Sequence, residues 1–388
     1  MKSINKRITV KRLAAMLTMA AIGALPAVAG AQSKEPLRIG LLLSLSGPAA
    51  PFGIPERDAV QVLSDKINAE GGVNGRKIEL HIYDDATNPT ESARGATQLI
   101  QQNKVVAIIG STTGSGTLAA GPVAMRYEVP MMAPNGTIAV TSKENKFYPW
   151  IFRTMPGDLT NTEGLLDRAI SGGAKKVAIF YQEDAYGKNT ADYLAELAKK
   201  KNVEIVATAA APLKATDVSA HVIKLRNANP DVVLMQVSAP ALGAAFARAA
   251  KQGGLNATIW APMGLGQKAF IEGSGAAGEG IRIPLIMNWD DPTPHQQELR
   301  KLLVAAGKTP QGFGELLGST GLLMITEGAK KIQGEITGAK LRDAIETLCG
   351  LKTYSEGSAC YSKDNHDGWP AEIMVTSTMK EGKFVRLK

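Results

Sequence analysis

A run of small polar residues follows a short apolar stretch in "VVAIIGSTTGSGT", residues 105–117. A buried strand that ends in Gly, Ser and Thr, ahead of the helical run "LAAGPVAMRYE", offers backbone N–H groups and a helix N-terminus to an anion. The run contains no Lys and lacks both the G-x-x-x-x-G-K-[ST] and the G-x-G-x-x-G spacing of nucleotide-binding loops. The pattern therefore favours a smaller anion, such as a carboxylate, with an ordinary helix cap as the alternative.

Histidine and nucleophile patterns give no sign of catalysis. The four histidines are scattered, and none stands at ligand spacing from a Cys or another His: His81, His221, His295 and His366. His366 stands beside Asp367 in "DNHDGW", but no nucleophile motif such as G-x-S-x-G accompanies the pair. We therefore expect no metal site, no cofactor and no enzyme activity.

The N-terminus has the pattern of a secretory signal peptide. "MKSINKRITVKR" is basic, "LAAMLTMAAIGAL" is apolar but too short to span a bilayer, and "AVAGAQ" places small residues at the cleavage positions. We predict a signal peptide over residues 1–31, cleaved after Ala31 or alternatively after Ala29. The protein is then exported to the periplasm.

Export changes how the charge and the cysteines are interpreted. The whole chain has 44 Lys and Arg against 36 Asp and Glu, and removing the five basic residues of the signal leaves 39 against 36. With no later basic stripe among aromatic residues, nucleic acid is not an expected partner. Cys349 and Cys360, separated by ten residues in an oxidising compartment, are predicted to form a disulfide.

From Leu37 onward, apolar runs alternate with amphipathic segments. "LRIGLLLS", "KIELHIYDD" and "VVAIIG" are predicted strands, and "RDAVQVLSDKINAEGG" and "ESARGATQLIQQN" are predicted helices. The alternation restarts after "YPWIFRTMPGD", which predicts two doubly wound parallel-sheet units with a break near residues 151–156. Two later helical segments have no strand between them, so we expect the chain to cross between the units more than once. Ligands of such sheets bind beyond the carboxyl ends of the strands.

The order of six motifs resembles the branched-chain amino-acid-binding branch of the periplasmic binding proteins that serve ABC transporters. The motifs are "RIGLLLSLSGPAAPFG", "INAEGGVNGRKIELHIYDDATNP", "VVAIIGSTTGSGT", "VPMMAPNGT", "IFRTMPGD" and "YQEDAYG", and the resemblance extends over residues 37–388. It implies a type I fold in which two α/β lobes, joined by a three-strand hinge, close over a small ligand. On this basis we assign residues 36–152 and 285–333 to lobe 1, and residues 153–284 and 334–388 to lobe 2. The implied partner is an ABC permease, and we expect a monomer.

The resemblance also assigns binding residues. Thr137 matches the family's carboxylate-binding Thr, with the N–H of Asn135 or Gly136 beside it. The family's usual Ser falls on Gly114, so Ser115, Thr113 or the backbone alone supplies that contact. Aromatic lining positions match Phe52, Tyr186 and Phe313, with core packing as the alternative for Phe52 and Phe313.

Met263 is the residue that bears on the ligand's class. It stands where amino-acid-binding relatives carry an acid that pairs with the ligand's ammonium, and a buried ammonium without a counter-charge is costly. We therefore expect an aromatic or short aliphatic organic acid, with Ser238 able to donate one hydrogen bond. A branched-chain or other amino acid is the alternative ligand. A ligand-sensing receptor of the same fold is the alternative role, and an exported hydrolase would need a catalytic set that the sequence lacks.

Overall fold

The computed structural model describes residues 34–370 and 373–387. The interpretation of residues 1–31 as a signal peptide, and its cleavage site, lie outside the described residues. No helix in these two ranges is long and apolar enough to cross a membrane.

The first lobe is built on a five-stranded parallel sheet. Its order is β2-β1-β3-β4-β5, with β1 (Leu37–Leu43), β2 (Ile78–Asp84), β3 (Ala107–Gly110), β4 (Met131–Ala133) and β5 (Ile151–Arg153). The intervening helices are α1 (Ala50–Ala69), α2 (Pro89–Gln101) and α3 (Gly114–Tyr127). Strand β1 is almost wholly buried because helices cover both faces of the sheet, and this explains its continuous apolar run.

The second lobe repeats this alternation. Its elements are α4 (Asp158–Ser171), β6 (Lys176–Gln182), α5 (Ala185–Lys200), β7 (Glu204–Ala211), α6 (Ser219–Asn227), β8 (Val232–Gln236), α7 (Pro240–Gln252), β9 (Thr258–Trp260), α8 (Lys268–Ser274) and β10 (Arg282–Leu285). These strands pair in parallel, and apolar residues of the helices form the lobe's core on both faces of the sheet.

After β10 the chain returns to the first lobe. Three helices, α9 (Pro294–Ala305), α10 (Gly314–Lys330) and α11 (Gly338–Ile345), are followed by a hairpin of β11 (Cys349–Lys352) and β12 (Ser358–Cys360). Apolar residues of all five elements join the cluster that covers β1. Strands β13 (Val375–Lys380) and β14 (Lys383–Arg386) then complete the second sheet, in the order β14-β13-β10-β9-β8-β6-β7.

The sequence-based assignment of residues 334–388 to the second lobe is therefore wrong for most of that segment. Leu341 and Ile345, one turn apart on α11, are fully buried against α10 in the first lobe's core, and Leu351 and Tyr361 follow them there. The two-lobed α/β fold itself is confirmed. The chain passes between the lobes three times: after β5, after β10 and before β13.

The structure also tests two local predictions, the disulfide and the loop after β3. The disulfide is confirmed: Cys349 and Cys360 face each other in the β11–β12 register and are bonded. The Gly/Ser/Thr run after β3 is mostly not a loop, because α3 already begins at Gly114. Only residues 111–113 connect the strand to the helix.

Candidate ligand-binding site

A cavity lies between the lobes at the carboxyl ends of the parallel strands. It encloses about 710 Å³, its open mouth included, and its walls come from the segments after β3, β4 and β5 and from those after β6, β8 and β9. This is the edge at which doubly wound sheets bind ligands. Helix α3 of the first lobe and α5 of the second contact each other beside it.

The structure brings together nearly all of the residues nominated from the sequence. Those that line the cavity are Phe52, Thr113, Gly114, Asn135, Gly136, Thr137, Tyr186, Ser238, Met263 and Phe313. Ser115, which follows Gly114 in the first turn of α3, does not line it. Its nomination as the hydroxyl donor is therefore not supported by the structure.

The first turn of α3 forms one end of the cavity. The Thr113 Oγ1 atom accepts a hydrogen bond from the N–H of Gly116 at 3.1 Å, so this hydroxyl is a helix cap, the alternative that the sequence left open. The N–H groups of Gly114 and Ser115 precede the helix's own acceptors and have no partner within it. The helix therefore presents donors at this end.

Gly114 and Thr137 are packed against each other. A Cβ atom at position 114 would lie 1.9 Å from the Oγ1 atom of Thr137, far inside contact distance. Thr137 is 1% exposed, and its hydroxyl occupies the space that a side chain at position 114 would take. The absence of Ser at position 114 thus follows from the position of Thr137.

Arg153, at the end of β5, supports the loop that carries Thr137. It is 1% exposed, and its Nη1 atom donates to the carbonyl oxygens of Asn135 and Thr137, each at 3.1 Å. Its Nε atom forms an ion pair with Asp367 at 2.5 Å. The Asn135 side chain in turn donates to the carbonyl of Ser111 and to the Thr117 hydroxyl. The loop between β4 and β5 is therefore held from behind, away from the cavity.

Much of the remaining lining is apolar. Met263, in the segment after β9, is 2% exposed. The other apolar and aromatic side chains of the lining include Phe52, Met155, Tyr186, Leu213, Phe313 and Leu317. Such a lining suits an aromatic ring or an alkyl group.

Two acids that sequence analysis did not nominate also line the cavity: Asp158, which is buried, and Asp184, which is partly buried. Asp158 begins α4 and is 4% exposed; a Cβ atom at Gly136 would lie 2.0 Å from its Oδ1 atom, and its Oδ2 atom has no hydrogen-bond partner among the described residues. Burial raises the pKa of Asp158 to about 7, with Arg153 opposing the shift and Asp184 and Asp367 adding to it.

Asp184 differs from Asp158 because both of its oxygens have donors. Its Oδ1 atom accepts from the N–H of Gly187 at 2.9 Å as the cap of α5, and its Oδ2 atom accepts from the Gln182 amide at 2.7 Å. Burial raises the pKa of Asp184 as well. Gln182 also accepts from the N–H of Ser238 at 2.8 Å and from its hydroxyl at 3.3 Å, so the Ser238 hydroxyl already has a partner.

The sequence contained a weak signal for these acids. Each stands where a strand gives way to a helix, in "MPGD" and "YQEDAYG". An acid in the first turn of a helix is also an ordinary cap, and Asp184 is one, so position alone did not distinguish the two. Within the cavity lining that the structure describes, no residue is Lys, Arg or His.

His366 has a packing role rather than a place in the cavity. Its ring lies between those of Tyr148 and Phe152, with ring centroids 4.4 and 4.0 Å away, and its Nδ1 atom lies 2.9 Å from the Ile151 carbonyl oxygen. Over residues 34–370 and 373–387, no three His, Cys, Asp or Glu residues are grouped so as to hold a metal ion.

Comparison with known proteins agrees with this architecture. A model of the periplasmic binding protein family matches residues 36–374. The Leu-, Ile-, Val-, Thr- and Ala-binding protein of Pseudomonas aeruginosa is 26% identical over 80% of this chain and 82% of its own length. The Leu/Ile/Val-binding protein of Escherichia coli is 23% identical over 83% of this chain and 87% of its own.

Solved structures share the fold. An extracellular ligand-binding receptor from Rhodopseudomonas palustris HaA2 has a TM-score of 0.80 at 24% identity, covering 91% of this chain and 99% of its own. An ABC-transporter solute-binding protein of R. palustris, solved in complex with benzoate, has a TM-score of 0.76 at 22% identity, covering 91% and 95%.

Proposed function

The chain belongs to the periplasmic binding protein family, and we propose that it captures a small organic acid between its lobes and delivers it to an ABC permease. The family supports a periplasmic location, and the matched relatives are binding proteins, which supports a non-enzymatic role. We further propose that the protein works as a monomer.

The anion end of the cavity supports a carboxylate ligand. Thr137 brings a hydroxyl against Gly114, and the N–H groups at the start of α3 lack intrahelical acceptors. Charge-assisted hydrogen bonds from such donors suit a carboxylate, and the positive end of the helix dipole adds to them.

The single observation that carries the choice of an organic acid is Met263 in the cavity wall. By the family resemblance, this position in amino-acid binders holds the acid that pairs with the ligand's ammonium. A thioether offers an ammonium no counter-charge, whereas it packs well against an alkyl group or a ring. The benzoate complex of the R. palustris relative supports this choice, since the same fold accepts an aromatic acid there.

An amino acid is the second candidate ligand, because one observation favours it. The Asp158 carboxyl lines the cavity and has one oxygen without a partner among the described residues; if ionised, it would pair with an ammonium group and take the place of the missing acid at Met263. The names of the P. aeruginosa and E. coli relatives point the same way.

A thermal-shift panel distinguishes the two candidates. It pairs leucine with 4-methylpentanoate, valine with 3-methylbutanoate and phenylalanine with 3-phenylpropanoate, and it includes benzoate. We expect stabilisation by acids and little response to the amino acids. Met263→Glu should reverse this preference, because it restores a partner for an ammonium and adds a negative charge near a plain acid.

Met263→Leu is the matched control, and it should keep the preference of the native protein because the wall stays apolar. Stabilisation of the native protein by an amino acid, with no response to any deaminated analogue, would replace the organic-acid assignment with the amino-acid one.

A further inference from the structure

The charge of the cavity conflicts with an anionic ligand unless one of its acids is neutral. Asp158 packs against Gly136, next to Thr137, so it lies at the end of the cavity to which we assign the ligand's carboxylate. Two ionised carboxylates at one buried site repel each other strongly. The described lining has no Lys, Arg or His to offset that repulsion.

The hydrogen bonding of Asp158 indicates that it is the neutral acid. A buried carboxylate is normally surrounded by donors, as Asp184 is by Gly187 and Gln182. Asp158 is 4% exposed, yet its Oδ2 atom has no donor within reach in the part of the chain that the structure describes. A protonated carboxyl has the opposite need, because its O–H requires an acceptor. The Asp158 side chain lines the cavity, which provides the place for that acceptor.

The charged and titratable groups around Asp158 come from three elements. Arg153 on β5 opposes protonation, but its guanidinium is bonded to Asp367, to the Thr141 hydroxyl and to two carbonyl oxygens. Asp184 at the start of α5 and Asp367 beyond β12 both favour protonation. Tyr186 on α5 is buried nearby, and its pKa is raised well above the usual value by burial, by Asp158 and by Asp184, so it remains neutral.

We propose that Asp158 is protonated in the liganded protein and donates a hydrogen bond from its carboxyl O–H to the ligand's carboxylate, so that binding takes up a proton from solvent wherever the free carboxyl is ionised. This proposal rests on the proposed function, because it requires an anionic ligand. It makes Asp158 a residue that determines specificity: the cavity accepts an anion with a carboxylic acid in place of a basic side chain.

Calorimetric titration of the mature protein with benzoate and with 4-methylpentanoate tests the proposal. Both ligands are ionised between pH 6 and pH 8, so any proton taken up binds to the protein. With a pKa of Asp158 near 7, affinity should fall about tenfold from pH 6 to pH 8, because the binding-competent protonated fraction falls by that factor. Titration at pH 7 in buffers of different ionisation enthalpy should show uptake of about half a proton.

Two variants show which carboxyl group takes up the proton. Asp158→Asn mimics the neutral acid, and it should abolish both the pH dependence and the proton uptake while still binding the acid at pH 8. Asp184→Asn removes the other cavity carboxyl, whose oxygens already have donors, and it should keep the pH dependence whatever its affinity.

The outcomes separate this proposal from the proposed function. Acid binding with a constant affinity from pH 6 to pH 8 and no proton uptake overturns the role of Asp158 and leaves the organic-acid function standing. Binding of leucine, valine or phenylalanine but of no acid, with a loss of more than a hundredfold in Asp158→Asn, overturns both, because Asp158 then pairs as an ion with an ammonium.

The ligand-free protein gives an independent measurement. Because the folded-state pKa of Asp158 is raised, the folded state binds its proton more tightly than the unfolded state does, and stability should fall as pH rises from about 4 to about 7. Asp158→Asn removes this loss, so it should raise Tm more at pH 8 than at pH 5. An equal effect at both pH values would contradict a retained proton.

Discussion

Gly114 and Thr137 share one small space at the anion end of the cavity. A methyl group at position 114 would lie 1.9 Å from the Thr137 hydroxyl oxygen and 2.4 Å from its Cβ atom, so one of the two segments must shift. Gly114→Ala should therefore weaken ligand binding by about tenfold or more, since it displaces a hydroxyl that we assign to the ligand's carboxylate. Calorimetry with benzoate measures the effect. A native affinity in this variant would show that the Thr137 hydroxyl does not touch the ligand.

Thr137 itself gives a second prediction at this scale. Thr137→Ala removes a hydroxyl that is expected to bond a charged group, at a cost of roughly 1.5–3 kcal/mol, or about ten- to a hundredfold in affinity. Its thermal stability should change little. Ser115→Ala, in the same helix turn as Gly114 but outside the cavity lining, is the control and should bind normally. Equal affinities in the two variants would remove Thr137 from the site.

Some cavity residues were easier to predict from the sequence than others. Those whose residue type also suits an ordinary structural role, such as capping a helix, were the ones missed. Thr137 and Met263 were located through the order of motifs, and the structure places both in the cavity lining. Asp158 was not nominated, because an acid in a helix's first turn is usually a cap. Only the fold shows that its Oδ2 atom is buried without a partner.

The β11–β12 hairpin is connected to the binding loop through two charged side chains. The segment after β12 carries Asp367, which pairs with Arg153, and Arg153 holds the carbonyl groups of Asn135 and Thr137. Asp367→Asn should free the guanidinium to move, and we expect a loss of about threefold in affinity, typical of a partly exposed ion pair. Asp364→Asn is the matched control in the same segment, since Asp364 is exposed and pairs with the exposed Lys143. An unchanged affinity in Asp367→Asn would show that the loop holds its position without this pair.

Strands with an apolar run of their own were predictable as elements, among them the four-residue β3, whereas β5 and β10 were not. Strands β1 and β6 have seven residues each, and their buried runs are plain in the sequence. Strand β5 has three residues and β10 has four, including Pro284, so neither has a period to detect. Their conformation is imposed by pairing with other strands: β5 with the preceding strand β4, and β10 with β13 near the end of the chain.

The lobes are also joined by a contact away from the three connecting segments. At the start of α8, the N–H of Lys268 in the second lobe donates to the carbonyl of Gln311 in the first at 2.7 Å, and Gln267 pairs with Gly312. Glu315, at the start of α10, is 1% exposed and accepts hydrogen bonds from the N–H groups of Gln311 and Gly312. This acid therefore fixes the loop that joins the lobes.

Glu315→Gln should loosen this contact, because its amide has one acceptor atom where the carboxylate has two. We expect about threefold weaker ligand binding without any change in a residue that lines the cavity. Glu327→Gln, at a partly exposed acid on the same helix that pairs with Lys330, is the control. Calorimetry gives the affinities, and equal values for the two variants would show that the contact does not contribute to closure.

At the scale of the whole molecule, the sequence predicted the fold class correctly and the lobe assignment of one segment incorrectly. Alternating strands and helices imply two parallel-sheet lobes. The path of residues 334–370 was not predictable, because α11 and the disulfide hairpin could cover either lobe by their composition alone. Their apolar side chains are buried on the first lobe.

The most direct test of the central claim is to identify the ligand that the protein binds in the cell and retains through purification. The protein is purified in its folded state from the periplasm of the cells that make it. It is then denatured, and the released small molecules are identified and quantified by mass spectrometry. Our account predicts a carboxylic acid without an α-amino group, present at close to one equivalent per chain. Leucine, valine or another α-amino acid at that stoichiometry would contradict it.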